Sequence, residues 1–290
     1  MKTKGERIIE KVLKVFGILT ILITALIIIT LFAEGVSFFK EVSIKEFFLG
    51  TVWTPLIHPQ EFGVLPLVNG TLLIAIGSSI VALPIGLGAA VYLSEYASKK
   101  TRNIVKPILE ILAGIPSIVY GFFALTVITP FLKIFIKDIQ IFNVLSASIA
   151  VGIMIIPLVS SLSEDAMSSV PDIVKNGAYG MGATKFEVIR KIVLPASISG
   201  IVSSFILAIS RAIGETMIVA IAAGAKPQIT LNPLESIQTM TGYMVSVAMG
   251  DVTFGSIEYK TIFVVGALLF IMTFGLNIIA KRIVKKGKVY

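Results

Sequence analysis

Two glycines interrupt a helical pattern in the stretch NGAYGMGATKFEVIRKIVLPAS, residues 176–197. Gly180 and Gly182 lie two positions apart and predict a turn. After the turn, residues 184–193 resume as a short amphipathic helix that we expect to end at Pro195. The stretch therefore predicts two short helices with a glycine bend between them, a shape that suits docking into a groove on another protein. An ordinary amphipathic loop helix is the alternative.

On both sides of this stretch the chain is dominated by apolar runs. Its 290 residues are 56% hydrophobic and 14% charged, with a mean hydropathy of +0.95, outside the range of a water-soluble domain. A helix of about 20 residues crosses a hydrocarbon layer of about 30 Å and satisfies its own backbone hydrogen bonds there. We therefore predict an all-α, polytopic membrane protein. It forms a single transmembrane domain, residues 1–290, with six transmembrane helices at residues 15–33, 67–93, 108–131, 141–162, 196–222 and 261–280.

Positive charges orient these spans. Of the 25 lysines and arginines, 18 fall before the first span, between the second and third, in the loop 163–195 or after the sixth. Cytoplasmic loops of membrane proteins carry an excess of basic residues. We therefore expect a multi-pass protein of the cytoplasmic (inner) membrane with both termini and the loop 163–195 in the cytoplasm. Residues 236–250 are too short to span, and we interpret them as an extracytoplasmic interfacial or re-entrant segment.

Several small or cyclic residues lie inside the predicted spans. Pro84, Pro116 and Pro157 each remove a helical hydrogen bond and predict a kink or a break, either from packing geometry or in a helix that lines a pathway. Gly86 and Gly88 lack a side chain and predict close contact between helices.

Composition excludes several classes of chemistry. There is no cysteine and one histidine, His58, so neither a thiol site nor a histidine-based metal centre is expected. The sequence contains no P-loop and no HExxH motif, so we expect no catalytic residue, no metal site and no cofactor in this chain. The net charge of +8 reflects the basic loops of a membrane protein, and we expect lipid contact but no nucleic acid partner.

Two full charges lie inside the predicted fifth span. An arginine at the centre of a spanning helix costs about 2.5–3.5 kcal/mol, so Arg211 and Glu215 are functional candidates. Residues four apart share a helical face, so the two side chains can neutralise each other as a structural ion pair. Alternatively they form a gate on a substrate pathway, because a guanidinium donates in a planar fork that suits an oxyanion. Ser210 and Thr216 add neutral donors to that pathway or bond neighbouring helices.

The loop resembles a known family. Gly182, nine further residues, then Ile192, Leu194 and Pro195 match the Gly-x9-Ile-x-Leu-Pro core of the EAA loop in binding-protein-dependent ABC importer permeases. The opening Glu-Ala-Ala of that pattern is replaced by Asn-Gly-Ala at residues 176–178. The resemblance implies a coupling loop, residues 163–195, that docks on an ATPase subunit. The implied contact residues are Ala178, Tyr179, Gly180, Gly182, Ala183, Thr184, Ile192, Leu194 and Pro195.

The resemblance extends beyond the loop. Residues 63–98 (GVLPLVNGTLLIAIGSSIVALPIGLGAAVYLSEYAS), 109–125 (LEILAGIPSIVYGFFAL) and 210–217 (SRAIGETM) look like the permease subunits of phosphate-specific importers, the PstC type more than the PstA type. This implies the type I, MetI-like architecture and import of inorganic phosphate by alternating access. The implied partners are a second permease subunit of the PstA type, an ABC ATPase dimer that binds ATP and Mg, and an extracytoplasmic phosphate-binding protein. Another oxyanion, such as phosphonate, sulfate or molybdate, is an open alternative, and a secondary transporter driven by an ion gradient is a more distant one.

Overall fold

The computed structural model describes residues 4–287, including all side chains except those of residues 4, 7, 8 and 283–287. The outermost residues of the predicted domain 1–290, with part of the basic charge at both predicted cytoplasmic termini, lie outside the described residues. Within residues 4–287 the fold is helical, with one isolated bridge between Trp53 and Phe62 in place of strands. The helices are α1 Lys4–Phe38, α2 Ile44–Leu49, α3 Leu65–Val91, α4 Lys99–Gly114, α5 Ser117–Phe123, α6 Thr129–Phe135, α7 Val144–Ser168, α8 Asp172–Gly180, α9 Lys185–Val188, α10 Leu194–Ile213, α11 Met217–Ala222, α12 Met240–Ala248 and α13 Ile257–Gly287.

Three of these helices continue through a wider π-helical turn. Tyr92–Tyr96 extends α3, Ala124–Ile128 joins α5 to α6, and Ile189–Val193 joins α9 to α10. Six continuous helical stretches of the described chain are therefore long and apolar enough to cross a membrane, which confirms the predicted number. They are Ile9–Phe38, Leu65–Tyr96, Ser117–Phe135, Val144–Ser168, Lys185–Ile213 and Ile257–Arg282.

The third predicted span is wrong at its start. A continuous helix over residues 108–131 was expected, but α4 ends at Gly114 and a new helix begins at Ser117. Ile115 has extended backbone angles, which is the conformation that the ring of a following Pro116 favours. Residues 108–114 therefore belong to α4, an amphipathic helix in which no residue is buried. The apolar crossing begins after the break.

The fifth predicted span also divides. Residues 196–222 were expected to form one helix, but α10 ends at Ile213 and α11 begins at Met217. The backbone carbonyl of Glu215 accepts a hydrogen bond from Thr241 Oγ1 at 2.6 Å. In a continuous helix this carbonyl would instead accept a backbone N–H of the same helix. Arg211 consequently lies in the last turn of α10 and not at the middle of a long span.

The main core lies between α3 and α7, which cross through small residues. A Cβ atom placed on Gly86 would lie 2.7 Å from the side chain of Val159, and one on Gly152 would lie 2.9 Å from Val81. The predicted close contact is confirmed for Gly86 and wrong for Gly88, which has open space around it. Neither α3 nor α7 breaks at its proline, so both helices cross the core intact.

Two smaller apolar clusters lie at the two ends of α3. At its start, Trp53 packs edge-on against Tyr243 of α12 with ring centroids 5.0 Å apart. Burial raises the pKa of the Tyr243 hydroxyl, which shares a hydrogen bond with Thr261 of α13. The segment predicted to be interfacial or re-entrant thus contains a short helix, α12, that packs inside the protein. At the other end, Ala90 of α3 packs with residues of the coupling loop.

Candidate functional site

The glycine bend of the coupling loop is a Schellman motif at the end of α8. Ala183 donates its N–H to the carbonyl of Ala178 at 3.1 Å, and Gly182 donates to Tyr179 at 2.9 Å. Gly182 has φ +85°, the left-handed conformation in which a Cβ atom is disfavoured. The two predicted helices and the bend between them are confirmed, and the bend leaves few free backbone groups.

The next helix starts one residue later with a capping box. Thr184 accepts the N–H of Glu187 on its hydroxyl, and Glu187 accepts the N–H of Thr184 at 3.0 Å on its carboxylate. Because Ala183 alone separates this cap from Gly182, the two helices meet at a short, fully bonded corner.

The predicted end of the second helix at Pro195 is wrong. The chain runs on through the π-helical turn Ile189–Val193 into α10, forming one stretch from Lys185 to Ile213. A proline ring clashes with the carbonyl four residues before it, and the wider turn just upstream accommodates that clash. Ile192 and Leu194 are half-buried against the cluster at the end of α3, so they help to hold the loop in place. The helix α7 likewise continues to Ser168, into the predicted loop.

The opposite face of the coupling loop presents large apolar side chains. Ile173, Met181 and Phe186 are 81%, 91% and 62% exposed, and Tyr179 is also exposed. Ile173 and Tyr179 lie on α8, which is too short to span a membrane, and Met181 lies at the corner just described. Phe186 follows the corner, at the start of the stretch Lys185–Ile213. An exposed apolar patch of this kind marks an interaction surface.

Two polar contacts, which sequence reasoning missed, fasten the loop to the end of α3. Lys175 Nζ lies 2.7 Å from Glu95 Oε1, and both side chains are nearly buried at 12% and 6% exposure. Lys185 Nζ lies 4.8 Å from the centroid of the Tyr96 ring. The partners are about eighty to ninety positions apart in the chain, so no local spacing indicates them.

Arg211 and Glu215 do not form the predicted ion pair within the described residues. Helix α10 ends between them, so they no longer share a helical face. Glu215 Oε1 instead accepts the backbone N–H of Ile218 at 3.2 Å, in the first turn of α11. Arg211 is exposed and extends toward a cavity.

That cavity has a volume of about 210 Å³ and lies between α4, α7 and α10. It contains four charged side chains, and the rest of its wall is apolar apart from Ser161. The lining residues are Leu93, Lys106, Leu109, Glu110, Ala113, Pro157, Leu158, Ser161, Glu164 and Arg211. Of the predicted pathway residues, only Arg211 reaches it. Ser210 Oγ is buried without a hydrogen-bond partner, and Thr216 donates to the carbonyl of Gly214 at 3.1 Å.

Glu164 is a further member of this site that sequence reasoning missed. Its carboxylate is 1% exposed and forms ion pairs with Arg102 and, at 3.0 Å, with Lys106 of α4. The hydrogen bond to Glu164 raises the pKa of Lys106 above its ordinary value, although burial opposes this. No cluster of metal-ligating side chains occurs in the part of the chain that the structure describes.

Membrane-length helices, a charged cavity and a two-helix loop with an apolar outer face define a transport protein of the permease class. The chain belongs to the family of binding-protein-dependent transport system inner membrane components, which residues 82–286 match. It is thus a multi-pass ABC importer permease, a membrane subunit of a class that works with ATPase and substrate-binding partners.

Relatives at moderate identity agree with this assignment. A probable ABC transporter permease protein, YqgH of Bacillus subtilis, is 33% identical over 273 residues, 93% of this chain and 88% of that protein. The phosphate transport system permease protein PstC of Xylella fastidiosa is 33% identical over 255 residues, covering 81% and 77%. PstC of Haemophilus influenzae is 29% identical over 300 residues, covering 97% and 93%.

Solved structures show the same fold. An inward-facing structure of the MetNI methionine ABC transporter matches with a TM-score of 0.57 at 20% identity, over 78% of this chain and 94% of the other. A bacterial ABC transporter for the acidic polysaccharide alginate matches with a TM-score of 0.63 at 15% identity, over 97% and 99%. The predicted all-α, MetI-like permease architecture is confirmed.

Proposed function

We propose that this chain is a permease subunit of an ATP-driven importer that moves inorganic phosphate across the cytoplasmic membrane by alternating access. The observation that carries the proposal is Arg211, an exposed guanidinium that lines a cavity bounded by α4 and by the membrane-length helical stretches that contain α7 and α10. Relatives named as phosphate transport permeases, at about a third identity over most of the chain, favour phosphate among the oxyanions.

Arg211 is the side chain that suits an anion best in this cavity. Its five N–H donors form a rigid fork that matches two oxygens of a tetrahedral anion. Glu164 neutralises the two cations of α4, whereas no carboxylate among the described residues pairs with Arg211. Ser210, next to Arg211, does not line this cavity, but its buried hydroxyl lacks a hydrogen-bond partner and remains the proposed neutral donor of the pathway. Glu215 and Thr216 serve the pathway by shaping the break that ends α10.

The coupling loop is the proposed contact with the energy source. Because the sequence has no P-loop, ATP and Mg are assigned to a partner ABC ATPase dimer. The exposed apolar face around Tyr179, Met181 and Phe186 supports docking into a groove on that partner. A second permease subunit of the PstA type and an extracytoplasmic phosphate-binding protein complete the assembly, with both termini of this chain in the cytoplasm.

Reconstitution tests the proposal. The chain is assembled in proteoliposomes with the ATPase, the second permease and the binding protein that are encoded by neighbouring genes. Uptake of labelled phosphate, phosphonate, sulfate and molybdate is then compared. We expect ATP-dependent uptake of phosphate that uncouplers do not inhibit. Preferred uptake of another oxyanion contradicts the substrate, and uptake that an uncoupler abolishes without ATP contradicts the class of transporter.

A further inference from the structure

In the chain, the coupling loop directly connects two spanning helices, α7 and α10, but it is not directly connected to α3. Its first helix follows α7 after a link of three residues, and its second helix continues directly into α10. α3 ends about eighty positions earlier in the chain, yet it forms the main core with α7. A displacement of the loop therefore reaches α3 indirectly, through the packing of α3 on α7 and α10, and directly, through side-chain contacts between the loop and α3.

Those contacts are concentrated on the π-helical turn Tyr92–Tyr96 at the end of α3. Glu95 on this turn accepts from Lys175 of α8 at 2.7 Å and from Ser94 at 3.0 Å. Tyr96, the last residue of the turn, lies under the ammonium group of Lys185 of α9. Both helices of the coupling loop are thus held to one turn of α3, one on each side of the glycine bend.

The pair of Glu95 and Lys175 differs from a surface ion pair. Both side chains are nearly buried, so separating them leaves a charge without solvent or partner. The apolar cluster beneath the pair joins Ala90 and Val91 of α3 to Ala178 and Ala183 of the loop. The ion pair therefore holds the loop at a fixed position on a packed surface.

We infer that Glu95 and Lys175 form a positioning pair that couples α8 to α3, so that a partner ATPase moving the loop moves α3 together with α10. The inference rests on the proposed function, because it requires that an ATPase docks on the loop. Without the pair, the loop still docks but loses its direct polar hold on α3, so less of its movement reaches α3 and less substrate is transported for each ATP hydrolysed.

The experiment compares Glu95→Gln and Lys175→Met in proteoliposomes that contain the complete transporter. Three quantities are measured: co-purification of the ATPase, ATP hydrolysis stimulated by the loaded binding protein, and phosphate taken up per ATP hydrolysed. Two further variants keep opposite charges at the two positions. Lys175→Arg retains the positive charge, and the exchange of Glu95→Lys with Lys175→Glu reverses the pair. Lys260→Met is a control for the loss of an ion pair elsewhere, since it breaks the more exposed pair with Glu41 (2.5 Å) near the other end of α3.

Coupling free energies between sites correspond to about 5-fold to 150-fold changes, so we expect each single variant to lower uptake per ATP at least about fivefold with the ATPase still bound. Lys175→Arg and the exchanged pair should recover uptake per ATP, and Lys260→Met should leave it unchanged. Uptake per ATP at the natural level in both single variants overturns the inference. So does an exchanged pair that assembles but stays uncoupled. Failure of the unaltered chain to bind any ATPase contradicts instead the proposed function.

Discussion

Arg211 and Glu215 lie on the two sides of a helix break, with Arg211 in the last turn of α10 and Glu215 just before α11. The carboxylate of Glu215 caps α11 through the N–H of Ile218, at 3.2 Å, and leaves the guanidinium without a partner among the described residues. The two charges therefore have different roles, and substitutions can separate them.

Arg211→Ala should lower phosphate uptake at least about tenfold. A hydrogen bond to a charged group contributes about 1.5–3 kcal/mol, and 1.4 kcal/mol is a factor of ten. Arg211→Lys keeps the charge but loses the planar fork, so an intermediate rate is expected. The measurement is uptake in proteoliposomes, with ATPase co-purification as the control for assembly. Natural uptake by the alanine variant would contradict a pathway role for Arg211.

Glu215→Gln and Glu215→Ala distinguish a cap from a required charge. The amide oxygen of glutamine still accepts the N–H of Ile218, whereas alanine leaves this group without its cap. Loss of a helix cap costs about 0.5–2 kcal/mol, so the alanine variant should unfold at a lower temperature and transport poorly. The glutamine variant should retain both properties. A correctly assembled glutamine variant that transports nothing would show that the negative charge itself is needed.

Gly182→Ala should weaken binding of the ATPase by distorting the corner of the coupling loop. An L-residue at this left-handed position costs about 1–2 kcal/mol, although there is space for the methyl group. Gly177→Ala is the matched control, because Gly177 lies in α8 without a positive φ and also has space for a Cβ atom. Amide hydrogen exchange over residues 178–184 and ATPase co-purification measure the effect. Equal retention of the ATPase by both variants would contradict the role of the bend.

Gly86→Ala should loosen the crossing of α3 and α7. The added methyl group would lie 2.7 Å from Val159, and such overpacking costs about 1–3 kcal/mol. Gly88→Ala, two positions along the same helix, meets no atom within 4 Å and should leave stability unchanged. Thermal unfolding of the purified chain in detergent compares the two. A similar loss in both variants would mean that contact with the surrounding detergent, and not this crossing, decides the outcome.

Arg102→Met and Lys106→Met should be strongly non-additive. Either single change leaves Glu164 one cationic partner, but the double change leaves a buried carboxylate unpaired. Removing the partners of a buried charge costs about 3–5 kcal/mol, so most of the loss should fall on the double variant. Denaturant or thermal unfolding of the four species measures the coupling. Adding Glu164→Gln to the double variant should recover stability, and its failure to do so would place the loss elsewhere.

Hydropathy predicted the number of spanning helices because it depends on apolar content alone. Hydropathy alone did not reveal where the backbone is interrupted, although Pro116, predicted to kink or break a helix, lies at the first interruption. The break before Glu215 depends on a hydrogen bond from Thr241, a residue on another helix 26 positions away. Only the folded chain brings such partners together.

The coupling loop was predicted more completely because its signals are local. Gly182, Thr184 and Glu187 occupy fixed offsets that define a turn and a cap in any context. By contrast, the ion pairs of Glu95 and Glu164 join segments separated by about sixty to eighty positions, and each carboxylate taken alone resembled an ordinary loop residue. Sequence reasoning therefore found the corner of the coupling loop but missed the contacts that fasten the loop to α3.

α1 packs along α13, and none of its most apolar stretch is buried within this chain, whereas two thirds of the corresponding stretch of α7 is buried. Most side chains of α1 thus face the lipid, which accommodates apolar side chains of any shape. During evolution the sequence of α1 should therefore change fast while its hydrophobicity is kept, and the closely packed surface of α7 should change slowest.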